Sequence, residues 1–193
     1  MRTGRRLPPR LVTALITAGC VVLAAIGLRV SEPDDNFQTV RGTLGAPVAV
    51  NEGNVTVADL RVGNSLLQND AVTQTAGLFV AVKVTVAAPD RDSLIVGSAR
   101  LLSEDRVYLP YTTLTSLSAV PGFQSSMDFV FEVDPARIDG LALELWRGEI
   151  VMGYHQRVRV PLGVTGDNAD QLRSSAQRPI VEPQTNRETR VIP

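Results

Sequence analysis

The stretch Gly77-Leu78-Phe79-Val80-Ala81-Val82-Lys83-Val84-Thr85-Val86 decides the fold. In an extended chain Val80, Val82, Val84 and Val86 share one side, and Phe79, Ala81, Lys83 and Thr85 share the other. A period of two in a run rich in β-branched residues predicts a half-buried strand. The same period recurs outward in both directions. Met127, Phe129, Phe131 and Val133 form one further face, and Leu141, Leu143 and Leu145 another, with Glu144 pointing away. Val158, Val160 and Leu162 alternate with Arg157, Arg159 and Pro161. Val55 and Val57 alternate, but Leu60 and Val62 continue on the opposite parity, so a bulge near Asp59 is required to keep one buried face.

Turn residues fall between these runs: Asn51-Glu52-Gly53-Asn54, Pro89-Asp90-Arg91-Asp92, Pro121-Gly122, Asp134-Pro135, Asp139-Gly140 and Trp146-Arg147-Gly148. Pro135 to Asp139 has room for one helical turn, and no other segment of this region holds a helical period over three turns. Short strands separated by turn signals predict an all-β sandwich or barrel, and one buried face per strand favours an antiparallel β-sandwich.

The N-terminus adds one transmembrane helix to that expectation. Leu11 to Leu28 carries no charge, and Arg2, Arg5, Arg6 and Arg10 precede it. Those 18 or so residues would span roughly 27 Å, close to a bilayer's hydrocarbon core. The arginines are expected to stay cytoplasmic and the rest of the chain to lie outside. A cleaved signal peptide lacks a clean small-residue site here. Lipidation at Cys20 conflicts with the apolar residues Val21 to Ile26 that follow it, and Pro8-Pro9 after Arg5-Arg6 departs from a twin-arginine signal. The expected organisation is a basic tail at 1–10, an anchor at 11–30, a linker at 31–41, the sandwich at 42–163 and a disordered tail at 164–193. The tail expectation rests on its Arg, Gln, Asn, Ser and Pro content without an apolar period.

Composition excludes several functions. The 193-residue chain has net charge −1, and residues 37–163 hold more acids than bases, which argues against nucleic acid as a partner. Aromatics are 5%, too sparse for stacking platforms. Cys20 is the sole cysteine, so the exported part has no disulfide to rely on. His155 is the lone histidine and lacks clustered ligands. Asp90 with Asp92, and Asp134 with Asp139, offer too few oxygens for calcium and suit Asx turns instead. There is no nucleophile elbow, phosphate loop or metal-spaced cysteine pair, so no catalytic residue, cofactor or metal is expected.

The order of segments resembles the extracytoplasmic immunoglobulin-like domains of the DUF4352 type. The resembling pieces are Gly45-Ala46-Pro47-Val48 leading to Gly53-Asn54-Val55-Thr56-Val57, the strand Gly77 to Val86, Ala99 to Tyr108, and Pro121-Gly122-Phe123-Gln124 before Phe129-Val130-Phe131-Glu132-Val133. Ala87-Ala88-Pro89 stands where such domains usually have an Asn after the central strand. The resemblance implies a fold and a place outside the membrane, and brings no catalytic residues with it.

Contact residues are therefore the functional candidates. Leu109 to Pro121 is uncharged and bounded by prolines. It either presents an apolar patch through Tyr111, Leu114 and Leu117 or folds back on the sandwich edge. Trp146 either anchors a partner or closes one end of the core. The expected function is a non-catalytic, membrane-anchored accessory protein that works by protein–protein contact in the bacterial cell envelope. An envelope small-ligand sensor and, more remotely, a hydrolase are the alternatives.

Overall fold

The computed structural model describes residues 38–68, 70–111, 116–148, 156–176, 180–181, 183–184 and 187–192. The chain divides into a unit at Met1–Asn36 and a second at Phe37–Pro193. The first, with the expected anchor, lies outside the described residues. No helix among the described residues is long and apolar enough to cross a membrane.

The second unit is a β-sandwich. Its strands are β1 (Gln38–Arg41), β2 (Pro47–Val50), β3 (Gly53–Gln68), β4 (Ala71–Ala88), β5 (Leu94–Val96), β6 (Ser98–Leu102), β7 (Val107–Tyr108), β8 (Leu117–Ala119), β9 (Phe123–Val133), β10 (Ala142–Trp146), β11 (Gln156–Pro161), β12 (Ile180–Val181) and β13 (Glu188–Val191). One sheet runs β1-β11-β10-β6-β7 and the other β12-β3-β4-β9-β13, with β2 also on β3 and a small β5-β8 pair apart. Most neighbours are antiparallel; β1 on β11 and β12 on β3 are parallel.

The period of two sets what the sheets enclose. Val80, Val82, Val84 and Val86 of β4 face inward with Val55, Val57, Met127, Phe129, Phe131 and Val133. They meet Ala99, Leu101, Leu141, Leu143, Leu145, Val158, Val160 and Leu162 of the other sheet. Each fully buried Val, Leu or Phe contributes about 1.5–3 kcal/mol, which is how the described fold holds without a disulfide. The bulge lies where the parity break requires it. Asp59 has φ 50°, and the register slips between Ala58 opposite Lys83 and Arg61 opposite Ala81. Leu60 and Val62 thereby return to the core side. The expected helical turn is a 3-10 turn at Pro135–Arg137, opened by the Asp134 carboxylate accepting the Ala136 N–H at 2.9 Å.

Two boundaries differ from the sequence expectation. The linker's last residues, Gln38–Arg41, are strand β1, an edge strand that needs backbone partners more than apolar ones. The 164–193 segment is not a disordered tail where it is described. Val164 is buried, and helix α1 (Gly166–Ser175) follows it. Asn168 fixes the helix start: its Oδ1 accepts the Thr165 N–H at 2.9 Å and its Nδ2 donates to the Gly163 carbonyl at 2.7 Å. Ala169 and Ala176 are buried and Leu172 packs beside them. A helix that buries only Ala169 and half-buries Leu172, with Ala176 buried just past its end, leaves almost no apolar period to read. Further on, β12 and β13 extend the β4-containing sheet through backbone hydrogen bonds, which composition does not reveal.

Candidate interaction surfaces

The strand-to-strand register builds the first surface on the outward face of the β10-containing sheet. Arg100, Glu144, Arg159 and Arg41 stand in one row across β6, β10, β11 and β1. Trp146 and Arg157 stand in the next row. Glu144 points away from the core, as its parity requires, and is nonetheless almost fully buried. Three arginines cover it: Arg100 Nε at 2.6 Å, Arg157 Nε at 3.8 Å and Arg159 Nη1 at 3.8 Å. A carboxylate kept from water has to find such partners, because an unpaired buried charge costs several kcal/mol.

Trp146 lies between two of the same arginines. The Arg100 and Arg157 guanidinium carbons sit 5.5 and 5.6 Å from its ring centre, a cation–π arrangement on the outer face. Trp146 also lines a cavity of about 50 Å³ with Val50, Leu94, Val96, Leu145 and Val158. That volume suits a few waters and falls well short of a metabolite. Gly97 allows the close approach of chains here. Its N–H donates to the Trp146 carbonyl at 3.0 Å, and a Cβ would stand 2.3 Å from the Arg147 carbonyl.

The second surface is apolar and lies where the chain leaves one sheet for the other. Val107, Leu109 and Tyr111 alternate along an extended segment and are 56, 71 and 42% exposed. Their backbone is not free to collapse inward. Pro110 bridges Phe131, and the Tyr111 N–H donates to the Val130 carbonyl at 2.7 Å. The Tyr111 ring stands edge-on to Phe79, centroids 5.1 Å apart. Phe79 belongs, with Leu66, Ala81 and Val130, to a small second core on the outward side of the β4-containing sheet.

The sequence candidates are therefore scattered. Tyr111 is partly exposed, and Trp146 lies in the arginine face. Leu114 and His155 lie outside the described residues. Leu117 is corrected: it is fully buried in β8, opposite Val96 of β5, and cannot meet a partner. The uncharged run hides this because three apolar strand residues look the same as three apolar loop residues. Leu109 is the most exposed of these apolar side chains, and its parity with Val107 and Tyr111 is the sequence signal for it. No group of three or more His, Cys, Asp or Glu among the described residues is placed to hold a metal ion.

No protein-family model matches the chain, and no curated protein matches its sequence. Among solved structures it is similar to an uncharacterized β-sandwich protein from Clostridium difficile 630, with TM-score 0.40, 9% identity, and 64% of this chain and 95% of that one covered. It is also similar to the yjhA protein from Bacillus subtilis, with TM-score 0.41, 11% identity, and 69% of this chain and 93% of that one covered. At that similarity the two structures add nothing to the strand order described above.

Proposed function

We propose that this protein is a non-catalytic, membrane-anchored accessory module with an immunoglobulin-like sandwich of the DUF4352 type, acting by protein–protein contact outside the bacterial cytoplasmic membrane. The observation that carries the contact reading is the exposed trio Val107, Leu109 and Tyr111 on a segment pinned to Phe131 and Val130. Apolar side chains held out by a fixed backbone lose little freedom on binding, so burying them in a partner is favourable. Binding energy concentrates on such aromatic and large apolar anchors. The anchor reading is supported by the arginines before the uncharged 11–28 run.

The test places a photo-crosslinking residue at position 109 of the full chain in its own membranes. A single protein adduct is expected there, absent when the same residue replaces Asp90, and lost with Tyr111→Ser. Adducts to lipid alone, or the same proteins captured from both positions, overturn the protein-contact reading. Protease added to spheroplasts should remove the sandwich; protection would overturn the topology.

A further inference from the structure

We infer that the protein pairs with a second copy of itself through the open edge of the β3–β4 arm, where Ala71 to Thr75 of one copy runs antiparallel to the same residues of the other. This surface is separate from the Val107–Tyr111 segment and does not depend on it.

The register leaves this edge open. β4 begins at Ala71, but β9 meets it only from Leu78, opposite Val133. Gly77 marks the end of that ladder. Its N–H donates to Thr75 Oγ1 at 2.8 Å, and a Cβ there would stand 2.7 Å from the Val133 carbonyl. From Ala71 to Gln74 the strand pairs on one side with Gln68 to Ser65 of β3, and no described residue pairs with its other side. Gln68 stands opposite Ala71 where the hairpin closes. A closing pair of this kind exchanges both backbone hydrogen bonds, so Val72 and Gln74 turn their N–H and C=O groups to the open side. All of Ala71 to Gln74 is exposed, Val72 by 54%.

The outermost strands of the two sheets are protected instead. β1 ends in Arg41, β2 opens on Pro47, β13 carries Glu188 and Arg190, and β7 and β12 are two residues long. Charge, proline and shortness are the devices that keep an edge from pairing with another chain. Ala71-Val72-Thr73-Gln74-Thr75-Ala76 has none of them, and Val72, Thr73 and Thr75 favour a strand.

A second copy fits because the open stretch is complementary to itself. A two-fold axis at Thr73 sets Thr73 opposite Thr73, Val72 opposite Gln74 and Ala71 opposite Thr75, so the outward backbone groups of Val72 and Gln74 meet each other. No like charges face each other, threonines oppose favourably, and the two Val72 side chains lie diagonally on one face of the junction. The incoming strand ends opposite Thr75, short of Gly77, and so does not meet β9. Few residues pair, which makes this a reversible contact of the small-interface class.

The test uses the full chain in detergent micelles with Cys20→Ser, which removes the only cysteine. Thr73→Cys should then give a disulfide-linked dimer on mild oxidation, because opposed residues of this type lie about 4.5 Å apart at Cα. Ala71→Cys should not, since its counterpart in the second copy is about 14 Å away. Gln74→Pro deletes an outward N–H that the β3 ladder does not use. It should lower the Thr73→Cys crosslink about tenfold and leave melting unchanged. If the proline itself lowers the melt, Val72→Lys takes its place: the crosslink should fall at low salt and recover at high salt. Equal crosslinking at 71 and 73, none at 73, or a yield that the edge variants leave unchanged overturns the proposal. A dimer in sedimentation that crosslinks at neither position shows that the copies meet elsewhere and overturns it too.

Discussion

Asp128 and Glu144 are both outward-pointing carboxylates, one on each sheet, and both are almost fully buried. They are closed off in opposite ways. Asp128 is covered by backbone: its Oδ2 takes Arg61 and also the Gln184 N–H at 2.5 Å, and its own N–H donates to the Gln184 carbonyl at 3.0 Å. Glu144 is covered by side chains, Arg100, Arg157 and Arg159 beside Trp146. The β4-containing sheet thus has its outer face closed at Asp128 by the chain's own C-terminal segment. The β10-containing sheet has its carboxylate closed at Glu144 by arginine side chains from its own neighbouring strands. Strand periodicity is the same in both; what differs, among the described residues, is whether later chain returns to cover the outside.

The hardest way to break this comparison is to break what both faces share. Val82→Asp places a charge in the common core, which costs several kcal/mol and should abolish cooperative melting. Thr85→Asp, on the half-buried outer side of the same strand, should still melt as one transition. Equal melting curves would overturn the register of β4. The two carboxylates come next. Asp128→Ala strips Arg61 and the Gln184 N–H of their acceptor and should cost about 2–3 kcal/mol. It should also let protease clip near Gln184 before the sandwich unfolds; clipping no earlier than global unfolding would show that Asp128 does not hold that segment. Glu144→Gln keeps one oxygen for Arg100, removes the charge and puts an amide donor where the oxygen facing Arg159 stood. About 1 kcal/mol is expected, and added phosphate should restore part of it by replacing the lost anion. A loss equal to that of Asp128→Ala, insensitive to phosphate, would mean that the two faces are alike.

Much of the sandwich was legible because period two is a statement about sides. Val80 to Val86, Phe129 with Phe131, and Leu141 to Leu145 announce their buried face in one dimension. Even the Asp59 bulge shows as a change of parity. Period two is silent about what covers the other side. Glu144 looks solvent-facing in β10 alone, and only the pairing with Arg100 and Arg159 buries it. The arginine face is invisible in one dimension for the same reason, since its members are drawn from β1, β6 and β11. The C-terminal segment was misread because α1 packs through alanines and β13 through backbone. Leu117 was misread because three-residue strands carry too few alternations to separate them from a loop.

The smallest effect expected concerns the edge where that C-terminal segment joins β9. The Glu188 carboxyl is held below the ordinary glutamate range, first by the hydrogen bond from Gln184 and then by Arg190. Gln184 Nε2 lies 2.9 Å from its Oε2 and Arg190 Nε 2.8 Å from its Oε1. A folded value below the unfolded one means stabilisation that is complete above the ordinary glutamate range and drains away as pH falls through the folded value. The group is partly exposed at the sheet edge, so the loss is local and leaves the global melt nearly unmoved. Amide exchange at Arg190 and Val191, whose strand pairs with Gln124 and Phe123, should quicken as pH drops below that range, relative to the pH trend of amides in β4. Glu188→Gln should flatten the difference. If β13 in that variant still loosens at acid pH as in the parent, the latch lies elsewhere along the segment, and the Asp128–Gln184 contact is the remaining place to find it.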